Sequence, residues 1–240
     1  MISARVGFFG ATAFSPLSIS GLTLWLDASD SSTVTLDSNS RVSAWNDKSG
    51  FARHFTKSDA NTRARYNVTV NGRNAINAAF ADTSGTAAVS RSSASNADLG
   101  GSSAATLLMA FRIPTALSAY SVSSFGDAAN NLDRFPDGNT YSSRLRSTRA
   151  SGINMGMPTS GTIIFGTVVN GSTQTWRRQG NQVGSATSAY SSWYSLTGTT
   201  WSILAANPNC YWCEIVFYNK ALSSTELSQA ESYLLQRWAP

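Results

Sequence analysis

Residues 210–240 read CYWCEIVFYNKALSSTELSQAESYLLQRWAP, and the fold turns on how this closing stretch is read. Tyr211 to Asn219 is rich in aromatic and β-branched residues and has the length of a strand. The part that follows predicts the one convincing helix of the chain. Ser223 and Glu226 have the spacing of a capping box, in which the hydroxyl takes a free helix amide and the carboxylate reaches back. Leu227, Ala230, Leu234 and Trp238 recur at three- and four-residue steps and make one helical face. Ser228, Gln229, Glu231, Ser232 and Gln236 fill the other. A chain of strands that ends this way must dock its helix on the sandwich it closes.

Working outward, the rest of the chain reads as strands and turns. Leu22, Leu24 and Leu26 alternate with Thr23, Trp25 and Asp27, which predicts a half-buried strand over Gly21–Asp30. Val42 to Gly50, VSAWNDKSG, predicts a short strand running into a turn where Asp47 and Ser49 bond their own backbone and Gly50 takes a positive φ. Arg53–Thr56 and Arg73–Phe80 read as short strands around a loop holding the hairpin signal Asn71-Gly72. Thr83–Gly101 is small and polar and reads as a surface connection. Ala104–Ile113, AATLLMAFRI, is almost wholly apolar and predicts a central core strand. Tyr120–Gly126, an alternating Arg/Ser stretch over Tyr141–Thr148, Thr162–Val169, Ser172–Arg178 and Trp201–Ala206 follow, with turns at Asn170-Gly171 and Gly180. Many short strands at regular spacing indicate an all-β chain: a two-sheet antiparallel sandwich with one C-terminal amphipathic helix. Met1–Ser18 is expected to be an arm that packs on its own domain or on a neighbour, and 19–240 one domain.

Charged residues make up only 13% of the 240, about half of the usual ~25%. Ser, Thr, Asn and Gly replace them, which suits extracellular or assembled β proteins. The net charge of +5 comes mostly from arginine. Arg134, Arg144, Arg146 and Arg149, with Arg177 and Arg178, are the nearest thing to a basic patch. They read as a solvated or subunit-contacting face, and no specific nucleic-acid partner is expected. Cys210 and Cys213 form a lone C-x-x-C. Positions three apart on a strand face opposite sides, so two reduced, buried thiols are expected. No apolar run reaches the ~18 residues of a membrane span, so no membrane insertion is expected.

Three stretches, GLTLWLDASD (21–30), VSAWNDKSG (42–50) and EIVFYNKALSSTELSQAESYLLQRW (214–238), together resemble the markers of concanavalin A-like lectin/glucanase domains of the laminin-G-like jelly-roll type. They are similar in particular to the versions in bacteriophage virion proteins and bacterial surface proteins. The resemblance runs from Gly21 to Trp238, and implies a jelly-roll fold. Where such domains often carry Phe-Asp-Gly, this chain has Ala79-Phe80-Ala81-Asp82.

Because glucanases share this fold, catalysis has to be weighed. Glycosidases need two carboxyl groups at fixed separation. Glu214, Glu226 and Glu231 show no acidic neighbour at strand spacing, and the nearest acidic group, Asp127, Asp133 and Asp137, falls in loops. His54 is the sole histidine and reads as a strand residue. No catalytic residue and no enzyme activity are therefore expected. Calcium can sit in loops of such sandwiches, and Asp127, Asn130, Asn131 and Asp133 are the residues that would supply its oxygens. No EF-hand spacing supports them, and no metal or cofactor is expected. Sugar binding needs aromatic faces beside polar groups, and Trp176, Tyr190, Trp193 and Tyr194 are the carbohydrate-binding candidates in the polar stretch 174–200. Trp25, Trp45 and Trp238 read as core. Two functions follow. One is a structural virion protein (decoration, fibre or tail accessory) partnered by itself as a homo-oligomer and by other virion proteins, with a host glycan as a further partner. The alternative is a lectin-like adhesion module on a cell surface or secreted protein.

Overall fold

The structure is a computed structural model that describes residues 14–78, 87–94, 104–114, 123–126, 131–135, 160–187, 199–205 and 210–240. It holds two antiparallel sheets. In the first, β13 (Asn181–Thr187), β12 (Thr173–Arg178), β11 (Gly161–Asn170), β8 (Ala104–Ile113), β15 (Tyr211–Tyr218), β6 (Arg73–Asn77) and β5 (Arg65–Val70) lie in that order, with β1 (Leu22–Asp27) added beside β15. The second runs β10 (Asn131–Phe135), β9 (Ser123–Gly126), β14 (Thr199–Ala205), β7 (Ala87–Ala94), β4 (Phe55–Thr56), β3 (Val42–Trp45) and β2 (Val34–Leu36). The helix α1 (Ser224–Trp238) is the only α-helix among the described residues. The expected jelly-roll sandwich with one terminal helix is the fold.

The apolar residues divide into two cores. Leu24, Leu26, Trp45, Leu107, Met109, Phe111, Phe165 and Phe217 belong to the one between the sheets. Trp25, Leu108, Ala110, Val216, Leu227, Ala230, Leu234 and Trp238 belong to the other, between the first sheet and α1. The molecule is therefore a three-layer stack of sheet, sheet and helix. This explains the unbroken apolar run of β8. Its odd positions feed the inter-sheet core and its even ones meet the helix, so neither face is wet.

The same stacking corrects the reading of β1. All six of its residues are buried, because α1 covers the face that was expected to meet solvent. A register shift between Leu22 and Leu24 also turns Leu22 to the helix side, away from Leu24 and Leu26. Five strands lie where loops were expected, the first being β2 inside the polar, turn-rich stretch 29–40. β5 fills the stretch before Asn71-Gly72, β7 lies inside the polar stretch 83–101, β10 begins in the expected loop, and β13 follows the Gly180 turn. Asn71 and Gly72 have φ of 48° and 72°, as a two-residue hairpin turn requires. The stretch 141–148 lies outside the described residues.

The capping box of α1 is present: Ser223 Oγ accepts from the Glu226 amide, and Glu226 accepts in return from the Ser223 amide. Lys220 Nζ lies 2.7 Å from Glu226 Oε1. That bond first, then those from Ser223, hold the Glu226 carboxyl down at about 2. A depressed carboxylate supports the fold above its unfolded value and loses that support as pH falls through the folded one. The capping contribution of Glu226 should thus persist at pH 4 and fade toward pH 2. NMR of the Glu226 side-chain carbonyl should show a midpoint near pH 2, and a midpoint above 4 would mean that neither Lys220 nor the cap holds it in solution.

Candidate functional site

The stretches 21–30, 42–50 and 214–238 meet at one place beneath α1. A bulge in β15 brings this about. Trp212 pairs with Phe111 and Glu214 with Ala110, leaving Cys213 as the extra residue. The bulge shifts the strand's alternation by one, so Cys213 and Glu214 both face the helix while Trp212 and Ile215 face the inter-sheet core. Without it Glu214 would point between the sheets.

Glu214 is fully buried. Its Oε1 accepts from Trp25 Nε1 at 2.7 Å and from the Tyr233 hydroxyl at 2.8 Å. Its Oε2 accepts from Trp238 Nε1 at 2.6 Å and from Arg237 Nε at 3.0 Å. Asp27 lies directly opposite on β1 and is 2% exposed. Arg237 spans the two acids, donating from one terminal nitrogen to both Asp27 oxygens at 3.0 Å and to Ser29 Oγ. Lys48 Nζ adds contacts to Asp27 Oδ2 at 3.1 Å and to Asp30 Oδ2 at 2.8 Å, and lies 4.3 Å from the centre of the Trp25 ring. Burial, then the Asp27 charge, push the Glu214 carboxyl up, while Arg237 and the two indoles pull it back. The hydrogen bond from Lys48 holds Asp30 at about 2.

This arrangement differs from the expectation for the acidic residues. Glu214 has no acidic neighbour on its own strand but faces Asp27 across the β1–β15 pair. The partner is 187 positions away in sequence, so spacing along one strand could not reveal it. Chemically the pair differs from an open carboxylate dyad: Arg237 sits between its charges, and α1 shuts out water.

A second polar anchor lies nearby. Arg177 on β12 makes a two-pronged bond to Glu231 on α1, at 2.6 and 2.9 Å. The pair lies over Gly166, where a Cβ would come within 2.8 Å of Leu108 Cδ2 and 3.7 Å of Glu231. Arg177 is thus a helix clamp, not part of an open basic face. Loop 47–53 closes the free edge of β1. Asp47 Oδ1 accepts the Trp25 amide, the Lys48 amide donates to Trp25 O, and Ser49 Oγ and the Arg53 guanidinium donate to Thr23 O. Asp47 and Ser49 also bond within the turn, and Gly50 has φ 94°, as the sequence predicts.

Of the aromatic sugar candidates, Trp176 is a correction. It is 1% exposed and part of the inter-sheet core, because its position on β12 faces the second sheet and leaves no open ring face for a sugar. Tyr190, Trp193 and Tyr194 lie outside the described residues. So do Asp127 and Asn130 of the calcium candidates, while Asn131 and Asp133 fall on β10. Cys210, just before β15, and Cys213, on it, are free and buried in the two different cores, and burial pushes both thiols up. Among the described residues no helix is long and apolar enough to cross a membrane.

Outside the buried cluster, a groove of about 610 Å³ runs along the solvent side of α1. Phe14 and Tyr233 line it with ring centres 5.6 Å apart, and Arg73, Gln229, Ser232 and Gln236 complete it. None of these was among the sequence candidates. The helical pattern placed Gln229, Ser232 and Gln236 on the polar face, but nothing local brings Phe14 or Arg73 to them.

No protein-family model and no curated protein matches the sequence. Solved structures share the fold. The binding domain of Paraclostridial Mosquitocidal Protein 1 superposes with a TM-score of 0.61 at 15% identity, over 91% of this chain and 53% of that one. The binding domain of Botulinum neurotoxin DC, solved in complex with rat synaptotagmin II, gives 0.55 at 9% identity over 92% and 52%. Trypanosoma rangeli sialidase in complex with sialic acid gives 0.53 at 11% identity over 95% and 34%. The chain thus spans about half of the toxin domains and a third of the sialidase. At these identities the likeness defines a class of fold, a two-sheet antiparallel β-sandwich.

Proposed function

We propose that this chain is a non-catalytic recognition module, a lectin-like jelly roll that binds glycan. The observation that carries this reading is the fate of its facing carboxylates. Asp27 and Glu214 are buried, paired with Arg237 and Lys48 and hydrogen-bonded, so they lock the helix to the sandwich and are not presented to a substrate. A hydrolase would need its acids at a water-accessible cleft. The fold's occurrence in two toxin binding domains and in a sialidase solved with sialic acid supports the same reading.

Its setting, on this proposal, is the outside of a virion, where the chain would form a homo-oligomer and contact other virion proteins. The resemblance to phage jelly rolls and the scarcity of surface charge support that setting. A glycan array probed with the full chain should give selective binding, and Trp193→Ala should reduce it if the 188–198 segment takes part. In parallel, light scattering should find an oligomer that removal of residues 1–18 dissociates into a folded monomer. An array without binding, or hydrolysis of a sugar polymer by pure protein, would overturn the recognition reading; a parent that is already monomeric would overturn the virion setting.

A further inference from the structure

The groove beside α1 has features that the fold does not use. Tyr233 gives its hydroxyl to Glu214, so its ring, and not its phenol, is what it offers to the groove. Phe14 leans on that ring at 58°. Together they make an apolar corner, with the Arg237 guanidinium 5.0 Å from the centre of the Tyr233 ring. Beside Tyr233 on α1, Gln229, Ser232 and Gln236 are exposed, and their side chains bond nothing among the described residues. Amides and hydroxyls in that state can both donate to and accept from ligand hydroxyls.

Arg73 supplies the charge. Its Nε donates to Arg237 O at the C-terminal end of α1, at 3.0 Å, and this bond fixes the guanidinium at the groove's rim. Its terminal nitrogens have no partner among the described residues. Arg237, the other cation of the groove, is already matched by Asp27 and Glu214. A planar guanidinium held by one nitrogen, with two more facing outward, is suited to a carboxylate. The volume falls within the ~300–1,000 Å³ of small-ligand sites.

We infer that this groove is a binding site for an acidic sugar. The sugar's apolar face packs into the corner between Phe14 and Tyr233, its hydroxyls bond Gln229, Ser232 and Gln236, and its carboxylate pairs with Arg73. A bare phosphate would have nothing for the aromatic corner, and a neutral hexose nothing for Arg73. The inference rests on the recognition reading above and adds to it both a place and a ligand class.

Saturation-transfer NMR on the full chain, with N-acetylneuraminic acid and glucuronic acid as probes and glucose as the neutral control, tests it. At least one acidic sugar should bind and glucose should bind at least tenfold more weakly. Gln229→Trp, on the exposed helix face, should fill the groove and abolish the signal without moving the unfolding midpoint. Arg73→Ala should weaken the acidic sugar about tenfold and leave glucose unchanged. Equal binding of acid and neutral sugars, displacement by inorganic phosphate at equal concentration, or full binding by Gln229→Trp would each overturn the assignment. Array binding lost in Trp193→Ala but kept in Gln229→Trp would leave the recognition reading standing and remove only this site. A parent that binds no sugar in either assay would end both.

Discussion

Arg237→Ala is expected to lower the unfolding midpoint by roughly 6–20 °C, the largest effect of any single charge change in the described structure. Arg237 is the cation between Asp27 and Glu214, which are 2% and 0% exposed. Removing one member of a buried ion network costs about 3–5 kcal/mol, because the remaining charges keep their desolvation cost and lose their partner. For a domain of this size each kcal/mol moves the midpoint by about 2–4 °C. Here Glu214 would be left without a cation, facing an Asp27 held by Lys48 alone. Arg237→Lys should recover less than half of the loss, since one ammonium group cannot bond Asp27, Glu214 and Ser29 from the positions that the fork reaches. Adding Glu214→Gln to the alanine variant should restore part of the stability by removing one of the two charges. An alanine variant as stable as the parent in urea would mean that water reaches these carboxylates.

Trp238→Ala should cost about as much, ~3–5 kcal/mol, for a different reason. The ring is fully buried at the end of the helical face that packs on the first sheet. Its loss would open a large cavity and also strip a donor from Glu214. Trp238→Phe separates the two contributions. Phenylalanine refills most of the volume and removes only the 2.6 Å bond to Glu214 Oε2. A hydrogen bond to a charged group contributes about 1.5–3 kcal/mol, so the phenylalanine variant should lose roughly half of what alanine loses. Equal losses would show the indole bond to carry the whole effect, and an unchanged phenylalanine variant would show it to carry none.

These two residues also mark what the sequence could reveal. The helix was legible to within one or two residues because its signals are local: the Ser223–Glu226 cap and an apolar step of three and four. β8 and β11 were legible because burial on both faces makes a continuous apolar run. β7 was not. AAVSRSSA carries too little apolar weight to stand out, and it is a strand because β14 and β4 pair with it on either side. The charge cluster was invisible for a related reason. Its members come from residues 27, 48, 214 and 237, and only the β1–β15 pairing and a one-residue bulge bring them together. The sequence named the three stretches involved, and read Trp25 and Trp238 as packing residues alone. Their indole N–H groups prove to be half of the solvation shell of a buried acid. The groove was hidden in the same way, since Phe14 and Arg73 reach it from elements remote in sequence.

The pairing of β1 with β15 sets a schedule for biosynthesis. Leu22 finds its strand partner in Tyr218, and Asp27 in Glu214. At ~5–20 residues per second, a ribosome takes roughly 10–40 s to make the intervening chain. Through that interval β1 has Leu24 and Leu26 on one side, Trp25 on the other, and no neighbouring strand along the edge that β15 will occupy. The nascent chain must therefore be shielded until β15 has emerged, and a chain that stops short of Glu214 leaves β1 without its partner strand.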